Sequence, residues 1–435
     1  MPTVLVALIP WFALSTACTG DGDDSSVGGD DSGTPAAPNP RILALSPLPP
    51  PPADPTNRVA EDPDAAWLGR FLYFDTRLSG TGTFSCATCH DPSKGFTDGL
   101  PFSEAAGTTA RHAPTVLNSV YNAWFFWDGR ADSHWAQALG PIENPAEQDS
   151  SRLAVAHLVA DDPELSVAYA QVFGALPDLS DGARFPPTGR PLPLDPTHPD
   201  NLAWEGMTPA DQDLVNQVFA NVGKAIAAYE RLLIRGNAPF DTYVEGLRED
   251  DPEKLAALSP EAVQGLDLYL GEGKCFFCHT GPNFSTGSFA NIGLAWVPGL
   301  QPDDIGRFQG ITALLADPFN GLGAYSDDPE AVEDKVGHLV QGAEQVGQFK
   351  IASLRNVAET APYMHGGQFA TLTDVVGYYS RLDQTPEWGH REDLMVPLEW
   401  DDQQIAAVVA FLESLTGEPL DPELTTAPAS PIPPQ

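Results

Sequence analysis

The chain has 435 residues, more than one typical domain, with 42% hydrophobic residues, 43 prolines and 39 glycines, a globular composition with much loop. Its 60 acidic residues stand against 22 basic ones, a formal charge of −38, which argues against a nucleic-acid binder, since that would need a basic stripe to neutralise phosphates. The same charge favours solubility and would steer a basic partner toward the surface, and much of it reads equally well as a solvated face.

The N-terminus, MPTVLVALIPWFALSTACTGDGDDSSVGGDDSGTPAAPNP, reads as an export segment followed by a tether. Val4 to Ala17 is apolar and too short to span a bilayer, and residues 1–17 suit a signal peptide although no Lys or Arg precedes the apolar core. Ser15-Thr16-Ala17-Cys18 resembles a bacterial lipoprotein cleavage box, with Ser15 where an aliphatic residue is usual; ordinary cleavage near Ala17 is the alternative. A lipid on Cys18 would be the sole membrane attachment. The expectation is an exported protein, periplasmic or lipid-anchored on the bacterial envelope. Residues 18–56, rich in Asp, Ser, Gly and Pro, read as a disordered tether.

Asp62-Pro63 supplies an N-cap and an N1 proline for a helix through DAAWLGRFLYFD, where Trp67/Phe71 and Leu68/Leu72 pair at i,i+4. Cys86-Ala87-Thr88-Cys89-His90 follows. After a Pro-rich loop at 176–212, VFANVGKAIAAYERLLIRG sets Val218, Val222, Ile226, Tyr229 and Leu233 on one stripe and stops at Gly236. EAVQGLDLYLGEGK runs into Cys275-Phe276-Phe277-Cys278-His279. Asp402 precedes Ile405, Val408, Val409 and Leu412, with Gly417 as a C-cap. No sustained period-two strand pattern occurs.

Apart from Cys18, the 5 cysteines form two pairs, and each pair is C-x-x-C-H. Two thiols so spaced on one helical turn can reach both vinyl groups of a porphyrin, and the adjacent His is delivered to the iron. A thioredoxin-like redox pair and half a zinc site are the alternatives, but neither calls for the following His twice. The reading is two covalent c-type haems. The expected fold is all-α: two cytochrome c-like haem domains packed across an inter-haem interface, at 57–211 and 212–420, each with a helix upstream of its motif and a disordered tail at 421–435.

LGRFLYFDTRLSGTGTFSCATCHDPSKGFTDG, RHAPTVLNSVYNAWFFWDGRADSHWAQALGPIENPAEQ, CFFCHTGPNFSTGSFANIGL and FKIASLRNVAETAPYMHGGQFATLTDVVGYY resemble the bacterial di-haem cytochrome c peroxidase/MauG superfamily, across about residues 57–420. The resemblance implies a peroxidatic N-terminal haem domain, a C-terminal haem domain that receives electrons, and a tryptophan between the haems. By it, His90 and His279 are proximal iron ligands and Trp127 is the inter-haem tryptophan; a plain core aromatic in AWFFW is the other reading of Trp127. Gln137 matches the distal glutamine and Glu147 the distal acid/base, since cleaving a peroxide requires moving a proton between its oxygens. Arg355 is a candidate partner for a haem propionate.

Three departures stand out. Many family members carry a histidine in the loop after the first motif that caps the peroxidatic iron, and residues 91–111 contain none; Glu104 lies near that place. The position of the distal ligand of the C-terminal haem, methionine in the peroxidases and tyrosine in MauG, falls on Tyr379, with Met395 and Met364 as alternatives. The family's interdomain calcium site would use the stretch Thr360-Ala361-Pro362, but His112 replaces its asparagine, and calcium prefers oxygen. His112 could instead hydrogen-bond a propionate or pack, and His134 could reach the distal pocket.

The implied activity is reduction of hydrogen peroxide at the N-terminal haem, with electrons that a small donor such as a cytochrome c or cupredoxin delivers to the C-terminal haem and that haem relays onward. The alternatives are a MauG-like oxidase that modifies aromatic residues of a partner protein and a non-catalytic di-haem electron carrier.

Overall fold

The computed structural model describes residues 37–299 and 303–434; the signal segment, Cys18 and the tether up to residue 36 lie outside them. The N-terminal half carries α1 (Pro40–Leu43), α2 (Pro63–Phe74), α3 (Cys86–Cys89), α4 (His134–Glu143), α5 (Arg152–Asp161), α6 (Pro163–Phe173), α7 (Pro199–Glu205) and α8 (Pro209–Glu230). The C-terminal half carries α9 (Pro239–Glu249), α10 (Pro252–Leu255), α11 (Pro260–Leu270), α12 (Arg307–Ala316), α13 (Leu372–Arg381) and α14 (Asp402–Glu413). Among the described residues the only sheet is β1 (Phe289–Ala290) paired antiparallel with β2 (Phe349–Lys350). The chain is thus mainly α. No described helix is long and apolar enough to cross a membrane.

The two halves repeat one plan. Asp62 caps α2 by accepting from the Asp64 and Ala65 N–H groups, and Ser259 caps α11 by accepting from Ala262; proline opens both helices. α2 crosses α8 with Gly69 against the Ala225 carbonyl, and α11 crosses α14 with Gly265 against the Ala407 carbonyl. A Cβ at these glycines would lie 1.8 and 1.9 Å from those oxygens, so only glycine lets the backbones touch. Asn118 and Asn356 both take a left-handed conformation, at φ 57° and 60°, and donate their backbone N–H to the carbonyls of Leu233 and Leu415 just past the crossing helices. A tight hairpin follows each, closed by Phe125–Ala131 and Tyr363–Phe369. Ser133 and Thr371 then cap α4 and α13, which match residue for residue.

Three expectations change. α8 packs on α2 and so goes with the helices of the N-terminal half, whereas the sequence reading opens the second domain at 212. The described part of the tether is ordered: Ile42 and Leu45 are buried, Tyr121 donates to the Pro49 carbonyl at 2.7 Å, and Arg231 donates to that of Pro52 at 2.7 Å. The tail is ordered too: Trp67 donates to Ser430 O at 3.0 Å, Arg70 donates to Thr426 O at 2.9 Å and pairs with Glu423, and Tyr229 donates to Leu424 O. Composition reads both segments as too polar to fold alone. Donors on the helices give their carbonyls partners, and that orders them.

Candidate functional site

α3 brings both thiols of the first motif off one turn, which the Thr88 hydroxyl steadies by accepting from the Ser85 N–H at 3.0 Å. Tyr73 of α2 donates to the His90 carbonyl at 2.8 Å, and His90 Nδ1 faces the Phe96 carbonyl at 3.3 Å. Phe96 has φ 59°, a rare conformation for a bulky residue. An imidazole donating from Nδ1 leaves Nε2 free to bind a metal. The second motif repeats this: Tyr269 donates to the His279 carbonyl, His279 Nδ1 lies 3.1 Å from the Phe284 carbonyl, and Phe284 has φ 50°.

All four thiols are free, and burial pushes all of them up, Cys89 to about 11 and Cys275 to about 12. Paired protonated thiols beside an imidazole with a free Nε2 form the donor set that a covalent haem requires, and both halves fit it. The space differs. A cavity of about 440 Å³ opens over the second motif, within the ~300–1,000 Å³ range of cofactor sites. The pocket over the first motif is narrow, about 30 Å³, with Phe84, Ala105, Pro141 and Glu147 close around it.

The repeat makes the two pockets comparable position by position. Gln137, Ala138, Pro141 and Glu230 line the first, and their counterparts Val375, Val376, Tyr379 and Leu412 line the second. Glu147 also lines the first. Burial raises its carboxyl, against the charges of Arg130 and His90 and a 2.6 Å hydrogen bond from Asn144 Nδ2 to Glu147 Oε1. The loop from the first motif is tied down there, with Ala106 N–H donating to the Glu147 carbonyl and Gly107 N–H to that of Ala146, both at 3.1 Å. Within it Glu104 is exposed and Ala105 faces the pocket.

Trp127, His112, Thr115 and Phe126 of the N-terminal half line the C-terminal cavity, so the halves meet at that wall. The Trp127 indole N–H donates to the His112 carbonyl at 2.8 Å, and its ring lies 6.4 Å from His365, its counterpart in the repeat. Tyr379, Met395 and Met364 all line this cavity. Tyr378 donates to the Ile292 carbonyl at 2.6 Å, whereas the Tyr379 hydroxyl has no hydrogen bond among the described residues. Burial pushes the Tyr379 phenol far up, so only a metal's charge would make it a phenolate.

Arg355 is placed elsewhere. It lines neither pocket; its fully buried guanidinium binds both oxygens of Asp241 at 2.5 and 2.9 Å and donates to the Pro282 and Leu45 carbonyls at 2.8 and 3.2 Å. Its donors are taken by Leu45 of the tether, by Pro282 and by Asp241 of α9, away from the propionate role expected for it. A cation that sequence reasoning missed does line the cavity. Lys350 donates its backbone N–H to Trp127 at 2.7 Å, and burial lowers its ammonium to about 8. Thr360 and Pro362 also line the cavity, but the His112 ring lies 2.7 Å from the Leu100 carbonyl and meets that of Thr360. The imidazole thus meets one carbonyl of the stretch expected to serve calcium, that of Thr360. Among the described residues no group of three or more His, Cys, Asp or Glu could hold a metal. His134 pairs with Glu230 instead of lining the pocket.

A helical repeat with two C-x-x-C-H donor sets defines a di-haem class of oxidoreductase. The chain belongs to the di-haem cytochrome c peroxidase family: that family's model matches residues 63–249, and full-length relatives extend the match. It is 32% identical over 399 residues to cytochrome-c peroxidase IdrP1 of Denitromonas iodatirespirans, covering 89% of this chain and 92% of that one. It is 30% identical over 360 residues to the methylamine utilization protein MauG of Methylorubrum extorquens, covering 82% and 79%. A crystal structure of a MauG-like protein associated with microbial copper homeostasis superposes with TM-score 0.61 at 25% identity, over 88% of this chain and 97% of that one.

Proposed function

We propose that this protein is an exported di-haem peroxidase that reduces hydrogen peroxide in the N-terminal pocket with electrons received at the C-terminal haem. The observation that carries the reading is the asymmetry of the shared walls. One pocket has Gln137, Glu147 and Glu230 with Pro141 at the position over the motif; the other has valines, a leucine and Tyr379 at that position. The first has side chains that can handle protons and, where the second carries Tyr379, a proline that cannot ligate a metal. The second is apolar and offers a ligand, as electron transfer needs.

A haem on Cys86, Cys89 and His90 would supply the redox-active iron, and a second on Cys275, Cys278 and His279 would supply electrons; the balance is H2O2 + 2 e⁻ + 2 H⁺ → 2 H2O. Asn144 occupies Glu147 Oε1, so Oε2 is the oxygen left to take a proton from one peroxide oxygen and return it to the other. Gln137 orients the substrate, and the loop around Ala105 excludes water. Trp127 can pass an electron without losing its indole proton, because that N–H rests on a backbone carbonyl, which cannot accept it. The MauG-like alternative, oxidation of a partner protein, draws on Tyr379 as a phenolate ligand that lowers the second haem's potential. Export and anchoring at Cys18 complete the reading, and a released, unlipidated Cys18→Ala protein would test the anchor.

Electron paramagnetic resonance of the oxidised protein, with and without peroxide, tests the main reading. One high-spin haem that reacts without prior reduction is expected; two low-spin haems inert to peroxide would overturn it. Glu147→Gln should keep the resting spectrum and slow peroxide reduction by roughly 10²–10⁴-fold. Tyr379→Phe should change the low-spin signal alone.

A further inference from the structure

The repeat sets His134 opposite Leu372 and Glu230 opposite Leu412. His134 and Glu230 are each 4% exposed. His134 Nε2 lies 2.9 Å from Glu230 Oε2 and 3.0 Å from Ser119 Oγ, and Ser119 in turn donates to the Val116 carbonyl at 2.6 Å. Glu230 Oε2 is left without a well-aligned hydrogen bond. Glu230 lines the N-terminal pocket beside Cys86 and Gln137, where its carboxyl adds to burial in pushing up the Cys86 thiol and the Tyr73 phenol. Leu372 and Leu412 line the C-terminal cavity, so the chain already has an apolar solution for this pair of positions. A buried carboxyl and imidazole cost free energy where two leucines would serve.

We propose that His134 and Glu230 form a positioning pair that holds a negative charge against the N-terminal haem site, lowering that haem's potential relative to its twin and keeping its iron ferric at rest, the state that meets peroxide. Charge and hydrogen bonding around a haem are recognised levers on its potential, and here they act through the pocket wall and not through a ligand. His134 keeps the Glu230 side chain in place from behind, and Ser119 orients His134. The inference rests on the reading that Cys86, Cys89 and His90 hold a haem.

The test is a potentiometric titration of the holoprotein that resolves the two haems, in the wild type, Glu230→Gln and the double variant His134→Leu/Glu230→Leu. The double variant copies the leucine pair of the other half and so keeps a core the fold already uses. The N-terminal midpoint should rise in both variants while the C-terminal midpoint stays, and Glu230→Asp should restore most of the shift. An unmoved N-terminal midpoint, or both midpoints moving together, would overturn the inference with the functional reading intact. A wild-type protein with a single haem per chain would overturn both.

Discussion

His365 stands where the repeat places Trp127, with its ring stacked on Phe349 at 3.7 Å and 8°. Burial, helped by the charge of Arg111 and opposed by Asp304, lowers it to about 3 from an ordinary 6.5. At pH above 6.5 the ring is neutral folded and unfolded. Below 6.5 the unfolded chain takes up a proton that the folded ring refuses until about pH 3, so stability is lost as pH falls through that window, by about 1.4 kcal/mol per unit. His365→Phe keeps an aromatic ring on Phe349 and removes the titration. Urea unfolding across that window should show a shallower acid limb for this variant, and an unchanged limb would refute the assignment.

At the scale of elements, each half is built on one helix crossing. Gly69→Ala or Gly265→Ala would set a methyl within 2 Å of a main-chain oxygen that cannot rotate away, so each should lower the unfolding free energy, read from denaturant titration, by more than the ~1–3 kcal/mol of ordinary overpacking. Gly182→Ala, with open space around its Cβ, is the matched control and should be neutral. The helices of these crossings are legible in the sequence, from the Asp62-Pro63 cap and from the Val218–Leu233 stripe. Their pairing is not, because a glycine facing a distant carbonyl leaves no local periodicity, and α8 is therefore easily given to the wrong half. The site divides similarly. The thiol and imidazole spacing is local and readable, whereas Glu147 and Gln137 are pointed to only by the family resemblance. Arg355 misleads because Asp241, which claims it, is remote in sequence. Pro141, Lys350 and Glu230 are plain residues until the halves are laid over each other.

For the molecule as a whole, and on the proposed function, the charge of −38 and the mouth of the C-terminal cavity bear on one event, the arrival of an electron donor. Phe277, inside the second motif, is 53% exposed, and Leu394 and Val396, which also line that cavity, are 40% and 44% exposed. Glu392 lies in the same wall. An apolar mouth in an acidic surface suits a small basic donor with an apolar contact face, because the long-range field governs encounter and the apolar patch governs the docked state. Salt should therefore act on kcat/KM and spare kcat. Raising ionic strength from ~0.01 to ~0.15 M shortens the screening length from ~30 to ~8 Å and should slow turnover of a basic cytochrome several-fold at limiting donor. A neutral small-molecule reductant should show no slope. Phe277→Glu should raise KM for the cytochrome at every salt concentration and leave the reaction of peroxide with the prereduced enzyme alone. A flat salt profile, or an equal slope with an acidic donor, would mean that the field does no steering and that electrons enter elsewhere.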